Sequence, residues 1–97
     1  GAVSREVAEA MALGVRRVTG ADIGVSATGL AGPDGDGVNP VGTVFVGLAA
    51  ADGVWVRRLT LGSARGRNRI RTISANNAFD MLRRYASGLS MDAQVKM

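Results

Sequence analysis

Glycines crowd the segment between two apolar runs and make it the first candidate for a ligand site. One apolar run spans positions 23–27, and the next starts at Val41. Four glycines punctuate the segment between them: Gly29, Gly32, Gly35 and Gly37. Glycine permits positive φ and a close approach of the backbone, so that N–H groups can surround a ligand. The pattern predicts a strand, a ligand-binding loop at the carboxyl end of that strand, and a second strand.

Alternating arginines mark the start of the last long helix. On a helix, Arg67 and Arg71 lie one turn apart on one face, beside the partial positive charge of the helix N-terminus. A guanidinium binds phosphate through two parallel hydrogen bonds, and a helix N-terminus favours anions. We therefore predict a phosphate site with Arg67 as its first anchor and Arg71 as its second, while Arg65 and Arg69 face solvent. The alternative is an ordinary solvated first turn, although crowded cations at a helix N-terminus are unfavourable without a bound anion.

Residues for proton transfer and metal binding are scarce. Histidine and cysteine are absent, and of the 12 basic residues only Lys96 is a lysine. These absences exclude zinc sites of the usual Cys/His kind and histidine general bases. Asp34 and Asp36, close to Asn39, resemble a calcium loop only superficially, because the third ligand and the following glutamate are missing. We therefore expect no metal site.

The first helix is predicted over residues 5–18, with Ser4 as its N-cap and Gly20 as its end. Its apolar residues recur at three- and four-residue spacing, which predicts a buried stripe: Val7, Met11, Val15 and Val18. A strand is predicted over residues 21–27.

Two further strands, over residues 42–50 and 54–61, are joined at Asp52-Gly53, a strong hairpin signal. Alternating valines predict that this antiparallel hairpin is half-buried: Val44, Val46, Val54 and Val56. The second helix is predicted from Arg67 to about Tyr85. Its inward stripe is expected to contain Ile70, Ile73, Ala78, Met81 and Leu82.

Composition limits the class of protein. A chain of 97 residues with 46% apolar residues is a single globular domain at most. No apolar run is long enough to span a membrane, so we expect no membrane association and a cytoplasmic location. A net charge of +4 and a pI near 11.1 suggest nucleic-acid binding. Only four aromatic residues are present, and the arginines occur in short groups, so this function ranks third among the candidates.

The segment from Thr28 to Val44 resembles a known family signature. Thr28-Gly-Leu-Ala-Gly-Pro-Asp-Gly followed by Asn39-Pro-Val-Gly-Thr-Val looks like the Thr/Ser-Gly-Ile-Ala-Gly-Pro-x-Gly…Lys-Pro-Val-Gly-Thr-Val pattern of the CinA C-terminal domain. Residues 1–12 and 67–71 agree with it as well, so the resemblance covers roughly positions 1–85. This family comprises nicotinamide-nucleotide amidohydrolases, also called NMN deamidases.

The resemblance implies an α/β fold, a three-layer α/β/α sandwich with a mixed sheet whose N-terminal strands are missing from this chain. Residues 1–97 would form the C-terminal portion of a single domain, with 87–97 as a flexible tail. The family's Glu-Ser-x-Thr-Gly-Gly segment, and the tyrosine and lysine that serve its nucleophilic serine, do not occur in these residues. We therefore expect no catalytic residue in this chain.

The resemblance also implies which residues bind substrate. Thr28 would line the nucleotide pocket, with backbone contacts from Gly29, Ala31 and Gly32, and Arg67 and Arg71 keep the family's arginine positions. The family's basic residue before Pro-Val-Gly-Thr is replaced by Asn39, and its Asp before the first arginine by Gly66. The implied reaction is hydrolysis of the carboxamide of nicotinamide mononucleotide, without a cofactor, by a homo-oligomer for which a dimer is favoured. A non-catalytic nucleotide-binding or regulatory module is the first alternative, and a basic nucleic-acid-binding protein the second.

Overall fold

Two helices enclose a three-stranded sheet in the computed structural model, which describes residues 3–29, 39–62 and 66–91. In chain order the elements are α1 (Arg5–Thr19), β1 (Gly24–Gly29), β2 (Thr43–Ala50), β3 (Gly53–Thr60) and α2 (Arg67–Ala86). The strands lie in the order β1-β2-β3, and both pairings are antiparallel. The α/β class is confirmed. The parallel pairing that a mixed sheet needs is not found among the described strands.

Strand β2 is the centre of the structure, since all eight of its residues are buried. Side chains alternate along a strand, so one set of residues faces each helix. Val44, Val46 and Leu48 pack with α2, whereas Phe45 packs with Ala8 of α1. The prediction of a half-buried hairpin is therefore wrong for β2, because helices cover both of its faces. The described part of the chain forms three layers, α1, sheet and α2.

Helix α1 begins and ends where the sequence predicts, but it buries a different face. The Ser4 hydroxyl accepts a hydrogen bond from the Val7 N–H at 3.1 Å, and Gly20 ends the helix with a φ of 69°. The buried residues are Ala8 and Ala12. In the stripe predicted as the core face, Val7 is only half-buried, and the other three residues are exposed: Met11, Val15 and, at 81%, Val18.

The close approach of α1 to the sheet explains this difference. The buried Ser26 hydroxyl on β1 donates a hydrogen bond to the carbonyl of Ala8 at 2.7 Å. A β-carbon added to Gly47 would lie 2.7 Å from the same carbonyl oxygen. Only small side chains fit between a helix backbone and a strand at this separation, so the alanine face is the one that packs.

Helix α2 follows its prediction closely. Ile70, Ile73 and Met81 are buried, and Ala78 and Leu82 pack against the same core. The sequence did not predict that two polar residues are buried with them, Ser74 and Asn77. At the far end of α2, the Tyr85 hydroxyl donates to the carboxylate of Asp52 at 2.6 Å, which fixes the hairpin turn and raises the pKa of Tyr85.

The other boundaries shift by a few residues. Strand β1 begins at Gly24 and runs to Gly29, later at both ends than predicted. Past α2, the side chain of Met91 packs against the core, and residues 92–97 lie outside the described ranges. That residues 87–97 form a flexible tail stays a prediction. Neither described helix is long and apolar enough to cross a membrane.

Candidate functional site

A cleft of about 430 Å³ lies between the end of β1 and the first half of α2. Its walls are formed by Ala27, Thr28, Gly29, Val44, Arg67, Ile70, Arg71, Ser74, Ala75 and Ala78. Four of the six residues predicted to bind substrate, Thr28, Gly29, Arg67 and Arg71, thus meet in one place although about 40 positions separate them along the chain. The other two, Ala31 and Gly32, lie outside the described residues.

Small residues open the space between the sheet and the helix. A β-carbon on Gly29 would lie 2.8 Å from Cγ2 of Val44 and 3.0 Å from the carbonyl oxygen of Thr43. Gly29 therefore lets the end of β1 lie close against β2, where a larger side chain would collide with Val44 and Thr43. On the helical wall, Ala75 and Ala78 leave room that longer side chains would fill.

The mouth of the cleft is cationic. Arg67 and Arg71 are both exposed, and they lie in the first turns of α2. The N-cap is Gly66, which has no side chain to accept a hydrogen bond from the first turn, and that turn has no acidic residue. The partial positive charge of the helix N-terminus and the charges of the two guanidinium groups therefore lie together at one end of the cleft. They favour an anion there.

Thr28 meets this cleft from the edge of the sheet. It pairs with Phe45 across β1 and β2, and directly opposed residues in an antiparallel pair share a face. Phe45 packs on the α1 side, so alternation assigns the Thr28 side chain to that side and Ala27 and Gly29 to the cleft side. The backbone of Thr28, more than its hydroxyl, is therefore the group presented to the cleft.

The other hydroxyls near the site have structural hydrogen bonds. Ser26 donates to the carbonyl of Ala8, Thr43 to that of Pro40 and Ser74 to that of Ile70, each at 2.7 Å. Ser74 lines the cleft, but its proton is directed into the helix backbone. Ser63 lies outside the described residues. Asn39, which replaces a basic residue of the family pattern, donates from its side-chain amide to the carbonyl of Val3 at 3.0 Å.

A buried arginine that the sequence analysis missed holds the helical wall of the cleft. Arg57 on β3 is only 8% exposed, and its Nη1 lies 3.0 Å from Oδ1 of Asn77 and 2.9 Å from Oδ2 of Asp80. Its Nε and Nη2 have no hydrogen-bond partner within the part of the chain that the structure describes. Both acceptors lie on α2, so Arg57 ties this helix to the sheet on the side away from β1. The sequence carried one signal of this burial. Arg57 and Leu59 are two positions apart on β3, so their side chains lie on the same face of the strand, and Leu59 is buried.

Asp80 is the centre of the charges around Arg57. Its carboxylate also binds Arg83 at 2.8 Å and Arg84 at 3.0 Å. Hydrogen bonds from Arg83, Arg57 and Arg84 outweigh partial burial and lower the pKa of Asp80 to about 2. Within the described ranges, no three His, Cys, Asp or Glu side chains are grouped so that they could hold a metal ion. Asp34 and Asp36 lie outside those ranges.

Comparison with known proteins identifies the family. The sequence model of the CinA C-terminal domain matches residues 1–86. A CinA-like protein of Synechococcus is 57% identical over 84 residues, which are 86% of this chain and 20% of that protein.

Solved structures agree. A competence/damage inducible protein from Agrobacterium tumefaciens is 38% identical with a TM-score of 0.76, over 84% of this chain and 50% of the other. A CinA superfamily protein from Escherichia coli is 26% identical with a TM-score of 0.77, over 87% of this chain and 48% of the other. The chain thus spans about a fifth of its Synechococcus relative and about half of these two structures. On the family match over residues 1–86, the chain belongs to the CinA C-terminal domain family.

Proposed function

We propose that this chain forms the nucleotide-binding part of an amidohydrolase that converts nicotinamide mononucleotide to nicotinic acid mononucleotide and ammonia. The observation that carries the proposal is the cleft between β1 and α2, where Thr28 and Gly29 lie opposite Arg67 and Arg71. A cleft with apolar walls and a cationic mouth suits a ligand that combines a flat ring with a phosphate. A cytoplasmic location fits a nucleotide substrate of this kind.

The phosphate would bind at the mouth of the cleft. Arg67 begins α2 and offers a planar pair of donors, with the N–H groups of the first turn beside it. Arg71, one turn along, adds a second positive charge. The nicotinamide ribose would then extend between the sheet edge at Gly29 and the helical wall at Ala75.

The reaction itself is an acyl transfer. A serine oxygen attacks the carboxamide carbon, ammonia leaves as a neighbouring base returns the proton, and water then releases the acid from the acyl-enzyme. Donors that stabilise the negative oxygen of the intermediate lower the barrier. We propose that the serine and its base come from outside these 97 residues, since no Ser-x-Thr-Gly-Gly segment occurs in them. Ser74 is a poor candidate nucleophile because its hydroxyl donates to the carbonyl of Ile70.

A non-catalytic nucleotide-binding or regulatory module is the second candidate. It is favoured by the same cleft, which can hold a phosphorylated ligand without a nucleophile beside it. Nucleic-acid binding has less support, because Arg57 is buried and Arg83 and Arg84 are paired with Asp80. These arginines add to the net charge but do not form a free basic face.

The test uses residues 1–97 together with a longer protein that contains the Ser-x-Thr-Gly-Gly segment. Binding of nicotinamide mononucleotide is measured by calorimetry and ammonia release by a coupled assay. We expect the 97 residues to release no ammonia and the longer protein to release it. Turnover by the 97 residues alone would contradict the assignment of the nucleophile. Binding without turnover in both would favour the regulatory module.

A further inference from the structure

In the described part of the chain, the cleft between β1 and α2 has one polar side chain away from its mouth. Four of the residues that line the cleft have polar side chains: Thr28, Arg67, Arg71 and Ser74. The two arginines lie at the cationic mouth, and alternation along β1 assigns the Thr28 side chain to the α1 side of the sheet. Ser74 is only 8% exposed and lies among the apolar walls. Its hydroxyl is therefore the side-chain group that a ligand would meet inside the cleft.

The Ser74 hydroxyl meets the cleft as a hydrogen-bond acceptor. It donates its one proton to the carbonyl of Ile70 at 2.7 Å, one turn earlier on α2. A hydroxyl oxygen also has two lone pairs, and these can accept a hydrogen bond while the proton is donated elsewhere. In a buried, apolar place, such an acceptor binds an N–H group of a ligand and leaves a carboxylate of a ligand without a partner. The hydroxyl can thus distinguish an amide from an acid.

The spacing between Arg67 and Ser74 matches the length of nicotinamide mononucleotide. The two residues are seven positions apart on α2. Seven positions are about two helical turns, so both residues lie on one face of the helix, about 10.5 Å apart along its axis. In the extended nucleotide, ordinary bond lengths place the carboxamide nitrogen roughly 10 Å from the phosphorus. A phosphate held by Arg67 at the start of α2 would therefore bring the carboxamide beside Ser74.

We propose that Ser74 recognises the carboxamide of the substrate by accepting a hydrogen bond from its NH2 group. The inference rests on the proposed function, since it takes nicotinamide mononucleotide as the ligand. Ser74 then determines specificity and does not act as a nucleophile. It favours the amide substrate over the acid product, nicotinic acid mononucleotide, because the carboxylate of the product has no proton to donate to the serine oxygen. The same difference favours release of the product.

The experiment measures by calorimetry how tightly the unchanged protein and Ser74→Ala bind nicotinamide mononucleotide and nicotinic acid mononucleotide. The two ligands have the same phosphate and ribose, so the ratio of their affinities reports the contact at the substituent of the ring. We expect the unchanged protein to prefer the amide. Ser74→Ala should weaken binding of the amide about fivefold, the usual net effect of one lost hydrogen bond. Its affinity for the acid should stay the same or rise.

Thr72→Ala is the matched control. The Thr72 hydroxyl makes the same kind of hydrogen bond, to the carbonyl of Asn68 at 3.0 Å, but Thr72 is exposed and does not line the cleft. Its removal should change neither affinity. Ser74→Cys is a second variant of the buried position, and its sulfur is only a weak acceptor, so it should bind the two nucleotides as Ser74→Ala does. Circular dichroism checks that each variant is folded.

The outcomes separate this inference from the proposed function. If Ser74→Ala weakens binding of both nucleotides by the same factor, the hydroxyl donates to the ligand or only supports the helix, and the inference is wrong. An unaltered affinity for the amide in Ser74→Ala also overturns it. In both cases the unchanged protein still binds nicotinamide mononucleotide, so the proposed function stands. An unchanged protein that binds neither nucleotide contradicts the proposed function, and the inference fails with it.

Discussion

Arg57 and Asp80 form an ion pair of 2.9 Å that joins β3 to α2. The arginine is buried and the carboxylate is partly exposed, and Arg83 and Arg84 bind the carboxylate from the helix itself. The pair fixes α2 on the β3 side while the cleft opens on the β1 side. It is therefore a determinant of the position of the helical wall.

Because the pKa of Asp80 is low, we expect the folding stability of the protein to depend on pH in the acidic range. Its pKa falls from an ordinary 3.8 to about 2 in the folded protein. A carboxylate whose pKa is lower in the folded than in the unfolded protein stabilises the fold fully at a pH above its unfolded-state pKa. This stabilisation is lost as the pH falls through the folded-state pKa. We expect the thermal midpoint to decrease as the pH is lowered from about 4 to about 2. The contribution of Asp80 to the free energy of unfolding that is lost is about 1 kcal/mol after allowance for solvent screening.

Asp80→Asn provides the control. It leaves the positive charge of Arg57 buried without its counter-ion and should destabilise the protein at pH 7 by roughly 1–3 kcal/mol. Its midpoint should then change less than that of the unchanged protein over the same acid range. Parallel acid profiles for the two proteins would show that Asp80 is not the group responsible.

The contact between α1 and the sheet predicts a sharp intolerance of added methyl groups. Gly24→Ala and Gly47→Ala each direct a β-carbon at the backbone of α1, at Ala12 and Ala8 respectively. We expect each to destabilise the protein by roughly 1–3 kcal/mol, the usual cost of overpacking. Gly66→Ala, where an added β-carbon meets nothing, should cost less than about 1 kcal/mol. Urea unfolding measures all three, and equal losses would mean that α1 can move away from the sheet.

The sequence predicted the elements well and the packing of α1 poorly. Helix ends follow from local chemistry, namely the Ser4 cap and the left-handed Gly20, and the hairpin follows from Asp52-Gly53. Which face of α1 is buried depends instead on how closely it approaches β1 and β2. That distance is set by alanines on α1 and glycines on the strands. A search for periodic large apolar residues does not detect such small residues.

The candidate site could be predicted in part for similar reasons. The proposed phosphate position rests on arginines one turn apart at a helix start, which is a local pattern. Thr28 and Gly29 were assigned to the same site only through the family resemblance, and in the structure they line the same cleft as the two arginines. The role of Arg57 depends on a contact between residues 23 positions apart, Arg57 and Asp80, and no local pattern encodes it.

The carboxylates of the glycine-rich segment should be dispensable. The spacing of Asp34 and Asp36 does not match a calcium loop, so Asp34→Asn and Asp36→Asn should change stability by no more than about 0.5 kcal/mol. Nucleotide affinity should be unchanged as well. Thermal midpoints are measured with calcium and with chelator. A calcium-dependent midpoint that disappears in these variants would reveal a metal site.

The width of the cleft should control binding. Ala75 lines the helical wall, and Ala75→Leu would fill part of the space opposite Gly29. We expect at least about a tenfold loss of affinity for nicotinamide mononucleotide, since overpacking of this size typically costs 1–3 kcal/mol. Asn76→Leu adds a leucine at the next position, which is exposed and does not line the cleft, and it should bind normally. Equal losses in both variants would argue against this cleft as the site.

The most direct test of the nucleotide site is calorimetric titration of Arg67→Ala with nicotinamide mononucleotide and with nicotinamide riboside. Loss of a charge-assisted phosphate contact of about 1.5–3 kcal/mol should weaken binding of the mononucleotide roughly ten- to hundredfold. The riboside has no phosphate, so its affinity should change much less. Arg69→Ala, an exposed arginine that does not line the cleft, should leave both affinities near those of the unchanged protein. Equal losses for both ligands, or no loss for the mononucleotide, would contradict the phosphate site at the start of α2.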